Sequence, residues 1–222
     1  MCGRFTLTLD TATLQRIFQQ FIIPPEVQPR YNIAPGQPVL AVPNTAERRA
    51  THFLWGLVPA WAKDPRRYRF INARAETAAQ KPAFRAAFRR RRCLVLADGF
   101  YEWQHSGKKR TQPYYFTLAD RQPFAIAALW ERWEGADGSV ILGCALLTTR
   151  ANALVKRVHE RMPVILPPEA WETWLHPGEQ PAGALETWLR PYPAEAMQMW
   201  PVSPEVNNAR LDAPHLIEVY AP

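Results

Sequence analysis

The sequence predicts an α+β fold, a single domain with a curved, barrel-like, mostly antiparallel β-sheet and peripheral helices. Three observations carry that expectation. β-type runs separated by short turns occupy most of residues 93–149, helical apolar spacing occurs only in short stretches, and 22 prolines impose frequent stops. At 222 residues and 47% hydrophobic content, the chain fits one domain spanning 1–222 with a sizeable core.

Asp10 can cap a helix carrying Leu14, Ile17, Phe18 and Phe21 on one face, and Pro24 with Pro25 prevents its continuation. Val39–Val42 and His52–Leu57 read as neighbouring strands across a polar stretch. From Ala78 to Arg92 a helical stripe of Ala83, Phe84, Ala87 and Phe88 is backed by Arg85 and the run Arg89–Arg92, a core helix with a cationic outer edge. Cys93–Trp103, Tyr114–Leu118, Phe124–Trp133 and Val140–Thr149 follow as strands, with Gly107 and Gly135–Gly138 at hairpin turns. A brief helix is expected at Asn152–Val158, just before His159. Another should open at Pro167–Pro168 with Trp171, Trp174 and Leu175 on one face. The Pro-rich last forty residues show no clear pattern.

Lys and Arg outnumber Asp and Glu 27 to 20, a net charge of +7 that mildly favours a polyanionic partner. Three scattered cysteines without a C-x-x-C pair argue against a disulfide framework and a zinc site, so neither metal nor cofactor is expected. A secretory leader is not apparent, and no run approaches the ~18 apolar residues of a membrane span. A monomer in the reducing cytoplasm, associated with the nucleoid when bound to DNA, is the matching expectation.

Cys2 follows the initiator methionine directly. Removal of Met1 by the usual aminopeptidase leaves a residue with both a free α-amine and a thiol. An α-amine titrates near ~7.8 and a lysine near ~10.4, so at neutral pH the former is roughly several-hundredfold richer in its nucleophilic form. After the amine condenses with an aldehyde, the adjacent thiol can add to the same carbon and close a five-membered thiazolidine. Lysine has no such second nucleophile.

Four short stretches give that chemistry a context: Cys2-Gly3-Arg4-Phe5, Asn72-Ala73-Arg74-Ala75-Glu76-Thr77, Gly99-Phe100-Tyr101-Glu102-Trp103 and His159-Glu160-Arg161-Met162-Pro163. Arg30-Tyr31-Asn32-Ile33-Ala34-Pro35-Gly36 and Trp55-Gly56-Leu57-Val58-Pro59 extend the set. Each is weak singly. Together, in this order and spacing over about the first 165 residues, they resemble the SOS response-associated peptidase family of abasic-site-processing proteins. The resemblance implies that Cys2 forms the crosslink to an abasic site, that Asn72 and His159 organise and protonate the opened deoxyribose, and that Glu102 handles proton transfers. It also implies a peptidase-like activity, at least removal of Met1, and release of the crosslink with help from Glu102. Lyase cleavage from the imine is chemically open as well.

The roles make chemical sense unaided, because sugar opening needs an acid near the ring oxygen and carbinolamine dehydration needs a group that exchanges protons near neutral pH. Among Phe100, Tyr101 and Trp103, desolvation is expected to raise the Glu102 pKa. Arg4, Arg74 and Arg161 lie within two residues of proposed catalytic groups and are candidate phosphate clamps. Arg66, Arg67, Arg69 and Arg89–Arg92 could widen the cationic track. Asn32 belongs to the same expected DNA surface, and Pro35, Trp55, Pro59 and Trp61 could carry unstacked bases. The expected partner is single-stranded DNA containing abasic sites, or a junction with a single-stranded part.

Two rival readings compete with that one. An N-terminal-nucleophile amidohydrolase of the glutamine amidotransferase type also uses a processed cysteine before glycine, but no glutamine-pocket motif accompanies Cys2. A non-catalytic single-stranded DNA binder would use the same arginines and tryptophans, with salt-sensitive, reversible binding indifferent to abasic sites.

Overall fold

The fold is that of a computed structural model, which describes residues 2–106 and 109–221, with side chains of 105, 106 and 109–111 left aside. Met1 and the expected turn residue Gly107 lie outside the described residues. Strands are β1 (Phe5–Leu7), β2 (Arg30–Ile33), β3 (Pro38–Pro43), β4 (Thr51–Trp55), β5 (Asn72–Arg74), β6 (Arg92–Ala97), β7 (Gly99–Ser106) and β8 (Lys109–Leu118). β9 (Phe124–Glu134), β10 (Val140–Arg150), β11 (Arg161–Pro163), β12 (Ile165–Leu166) and β13 (Met197–Pro201) complete them. The α-helices are α1 (Thr11–Ile17), α2 (Ala75–Ala78), α3 (Arg85–Arg90), α4 (Pro168–Trp174) and α5 (Ala182–Glu186).

Strands β10, β4, β3, β6 and β9 pair in sequence, and β9 pairs back onto β10, closing a five-stranded barrel. β6 and the first half of β9 are continuously buried, because one face lines the narrow barrel and the other lies under helices or the second sheet. Helices α3 and α4 cover that outer side, with Phe88 packed edge-on to Trp174 and the Trp174 indole donating to Cys93 O at 2.9 Å. The second sheet runs β13-β8-β7-β1-β2 and is antiparallel throughout. Most barrel pairs are antiparallel too, but β10 runs parallel to both β4 and β5. Gly143 sits at the β10–β4 crossing, where an added Cβ would lie 2.6 Å from Gly56 O.

The curved, barrel-like sheet and peripheral helices agree with the fold class expected from the sequence, and Asp10 caps α1 by accepting from Thr13 N. Of the helix expected over 78–92 only α3 (Arg85–Arg90) forms, after α2 has ended at Ala78, and Arg92 already belongs to β6. Pro82 lacks an amide hydrogen and disfavours helical geometry at Lys81, so the chain turns between α2 and α3. Strand 93–103 is likewise divided at Asp98, between β6 of the barrel and β7 of the second sheet. The stretch 152–158 makes only a 3-10 turn, Val155–Arg157, stabilised by Asn152 Oδ1 accepting from Val155 N at 2.9 Å.

Candidate active site

Side chains from four separated segments converge where the β1–β7 pair of the second sheet meets the end of β10. Cys2 leads into β1, which pairs with β7 through Phe5 opposite Phe100. β7 alternates: Phe100 faces the main core, Tyr101 and Trp103 face a separate cluster with Val202, Val206 and Leu216, and Glu102 shares the Phe100 side. β5 and β11 both pair with β10, at Leu146–Thr148 and at Thr148–Arg150, so Asn72 and His159 are delivered to the same end of that strand.

Asn72 Nδ2 donates to Cys2 O at 2.8 Å and fixes the backbone of the residue proposed to react. Its Oδ1 is buried with no hydrogen-bond partner among the described residues, an acceptor available to a hydroxyl. His159 Nδ1 lies 4.0 Å from Glu102 Oε1 and accepts the Arg161 backbone N–H at 2.9 Å. The same Nδ1 lies 3.2 Å from Arg161 O, so whether it accepts or donates there depends on the tautomer of the ring. Glu102 is 2% exposed, and it lies close enough to Cys2 to act on the thiol electrostatically.

Cys2 is fully buried. Burial first, and then the Glu102 carboxylate, push its thiol far above the ordinary range, so the resting sulfur is protonated at neutral pH. Burial also raises the thiols of Cys93 and Cys144. A raised thiol pKa means that the thiolate fraction, and alkylation with it, keeps climbing through pH 10 without a plateau. Mass spectrometry of native protein treated with iodoacetamide at pH 8 should therefore show almost no adduct, against three after denaturation. Fast single labelling of the native chain would show that Cys2 is held differently.

A family profile described as SOS response associated peptidase (SRAP) matches residues 1–209. The chain belongs to the SRAP family. It is 40% identical to the abasic site processing protein YoqW of Bacillus subtilis (strain 168), covering 98% of this chain and 99% of the relative. Identity to the abasic site processing protein YedK of Escherichia coli (strain K12) is 32%, over 98% and 99% of the two chains. The abasic site processing protein HMCES of Gallus gallus is also 32% identical, with 98% of this chain and 77% of the relative covered. A crystal structure of a Bacteroides thetaiotaomicron protein superposes with a TM-score of 0.84 at 24% identity, over 99% of this chain and 100% of that one, a likeness of fold. A Bordetella bronchiseptica protein gives 0.79 at 29% identity, over 91% and 100%.

Within this SRAP chain, several residues expected on a DNA surface prove to be structural. Trp55 is fully buried, packs on Phe5 at 5.1 Å and donates from its indole to Ile71 O at 2.8 Å, so it offers no face to a base. Pro59 is buried as well. Asn32 is buried and its Nδ2 donates to Leu211 O at 2.7 Å and Asn208 O at 3.1 Å. Arg4 turns inward, donating through Nη1 to Asn32 Oδ1 and Val206 O, both at 2.6 Å, with its guanidinium 5.8 Å from the Trp103 ring centroid. The corrections to Asn32 and Arg4 share one cause. The C-terminal stretch, silent in sequence, folds back against the β1–β2 edge and uses the polar groups there, helped by the Asp212 ion pair with Arg30.

Of the Arg89–Arg92 track, Arg92 is buried and Arg91 pairs with Glu131, while Arg89 and Arg90 stay exposed beside Glu179. Pro35, Trp61, Arg66, Arg67, Arg69 and Arg74 are exposed as well. Trp61 is 54% exposed and meets the Tyr68 ring edge-on at 5.0 Å. Glu76 and Thr148 were not singled out from the sequence, yet both bind the Arg161 side chain. Charge pattern alone held no clue to a partner 85 residues away.

Among the described residues no helix is long and apolar enough to cross a membrane, and no cluster of His, Cys, Asp and Glu could hold a metal ion.

Proposed function

We propose that this chain captures abasic sites in single-stranded DNA, or at junctions with a single-stranded part, as a thiazolidine on Cys2 after Met1 is removed. The observation that carries the proposal is the convergence of Asn72, Glu102 and His159 on Cys2, with Asn72 holding the Cys2 carbonyl. The relatives' shared name, abasic site processing protein, points to the same lesion.

In this reading the sugar opens as protonated His159 gives a proton to the ring oxygen and the anomeric hydroxyl loses its own to solvent, while Asn72 Oδ1 accepts a hydrogen bond from a sugar hydroxyl. The unprotonated Cys2 amine adds to the aldehyde carbon, and the carbinolamine loses water to give the imine. The thiol sulfur then adds to that carbon as its proton passes to Glu102, and the imine nitrogen takes a proton to become the ring amine. A thiol that stays protonated at rest suits this order, because the amine attacks first and sulfur is activated only beside a bound imine. Glu102 working in reverse would release the adduct, and peptidase-like removal of Met1 would use the same groups. Exposed Trp61, Pro35 and Arg74 are the proposed contacts to flanking bases and phosphate.

Intact mass spectrometry before and after incubation with an abasic single-stranded oligonucleotide tests the reading. The expected result is a chain lacking Met1 and a product equal to protein plus oligonucleotide minus water. Non-covalent binding alone, with no such mass, would refute it.

A further inference from the structure

Arg161 is expected to clamp a phosphate, yet its fork is already full. Nη1 donates to Glu76 Oε1 at 2.6 Å, Nη2 donates to Glu76 Oε2 at 2.8 Å, and Nη2 also donates to Thr148 O at 2.6 Å. Its Nε is buried without a partner among the described residues, so no second edge is open. A carboxylate held end-on by two guanidinium nitrogens occupies the place and geometry in which a phosphate would be held. We infer that Glu76 is a resident competitor for DNA phosphate at Arg161, and thereby a specificity-determining residue that weakens the grip on undamaged strands.

The inference rests on the DNA reading above, and the surroundings of the pair support exchange over a permanent strut. The Glu76 side chain is 49% exposed, so it can swing into water, whereas that of Arg161 is 18% exposed and tied to the β10 backbone. Exposed Arg74 lies near enough to bear on the same carboxylate and is the second cation an incoming phosphate would meet. Weak binding of intact strands would leave durable capture to the aldehyde chemistry at Cys2. The resident carboxylate therefore trades affinity for lesion selectivity.

Fluorescence polarisation tests this with an intact single-stranded oligonucleotide, which has no aldehyde to trap. Glu76→Gln should bind roughly three- to tenfold tighter than the parent, with a gain that shrinks in high salt. In an Arg161→Gln background the same Glu76→Gln change should gain less than about twofold, because the fork it would free is gone. Glu76→Asp keeps the charge but shortens the reach, and should show a partial gain. An unchanged affinity for Glu76→Gln overturns the inference, as does an equal gain in both backgrounds, which is the signature of long-range charge alone. Crosslinking of abasic oligonucleotide by the parent is scored separately. Its loss would sink the proposed function, whereas its survival beside an unresponsive Glu76→Gln would sink only the competitor.

Discussion

Cys2→Ser is expected to eliminate the adduct with an abasic oligonucleotide that survives heat and detergent, a loss of at least about a hundredfold on a denaturing gel. Serine keeps the α-amine, so imine formation persists, but the nucleophile that closes the ring is replaced by a much poorer one. Cys2→Ala goes further, because its imine has no neighbouring nucleophile at all. That imine should accumulate as a borohydride-trappable species, and it acidifies the sugar C2 position, so strand cleavage by β-elimination should rise. Cys2→Ser exchanges one atom and Cys2→Ala removes one from a buried site, and normal thermal melts would confirm that chemistry rather than folding is being read. A heat-stable band of parental intensity from Cys2→Ser would rule out the thiazolidine. It would shift attention to an amine-only linkage or to another residue.

Arg92→Met should lower stability by about 3 kcal/mol or more, read as a shift in the midpoint of urea unfolding. Arg92 is fully buried, and its guanidinium donates only to backbone carbonyls: Trp174 O at 2.8 Å, His176 O at 2.6 Å, Arg89 O at 2.5 Å, Gly178 O at 3.2 Å and Phe88 O at 3.3 Å. Phe88 O and Arg89 O belong to the end of α3 and Trp174 O ends α4, where the helices run out of internal donors and carry partial negative charge, while His176 O and Gly178 O lie in the loop after α4. Burial lowers the guanidinium pKa to about 10, so it stays charged at neutral pH and draws its compensation from those dipoles. Methionine fills much of the volume and isolates the hydrogen-bond loss from cavity formation. Arg92→Lys should recover only part of the deficit, since an ammonium can reach at most three of the carbonyls. A midpoint unchanged by Arg92→Met would mean that water replaces the guanidinium at the helix ends.

Arg92 also shows what kind of information the chain does not display locally. It stands in a run of four arginines that looks like one cationic edge, yet the four find three different fates. The same holds for the tryptophans. Trp55 and Trp61 lie six residues apart in similar company, and one is core while the other is exposed. Nothing in their immediate neighbours distinguishes them, because burial is decided by which distant element arrives on top. Barrel closure through β9–β10, with β4 and β5 parallel to β10, was hidden for a related reason. Periodicity reports which faces of a strand are apolar but not which strand lies alongside.

The sequence by itself determined what depends on a residue and its chain neighbours: the Asp10 cap of α1, the proline start of α4, and the apolar runs of β6 and β9. Tertiary structure alone decided which charges remain available, since Arg4 is spent on the C-terminal stretch and Arg161 on Glu76, while Arg74 stays in water. The physical reason is range. Backbone propensity and covalent chemistry act over a few residues, whereas desolvation and ion pairing depend on partners that only the folded chain brings within hydrogen-bonding distance.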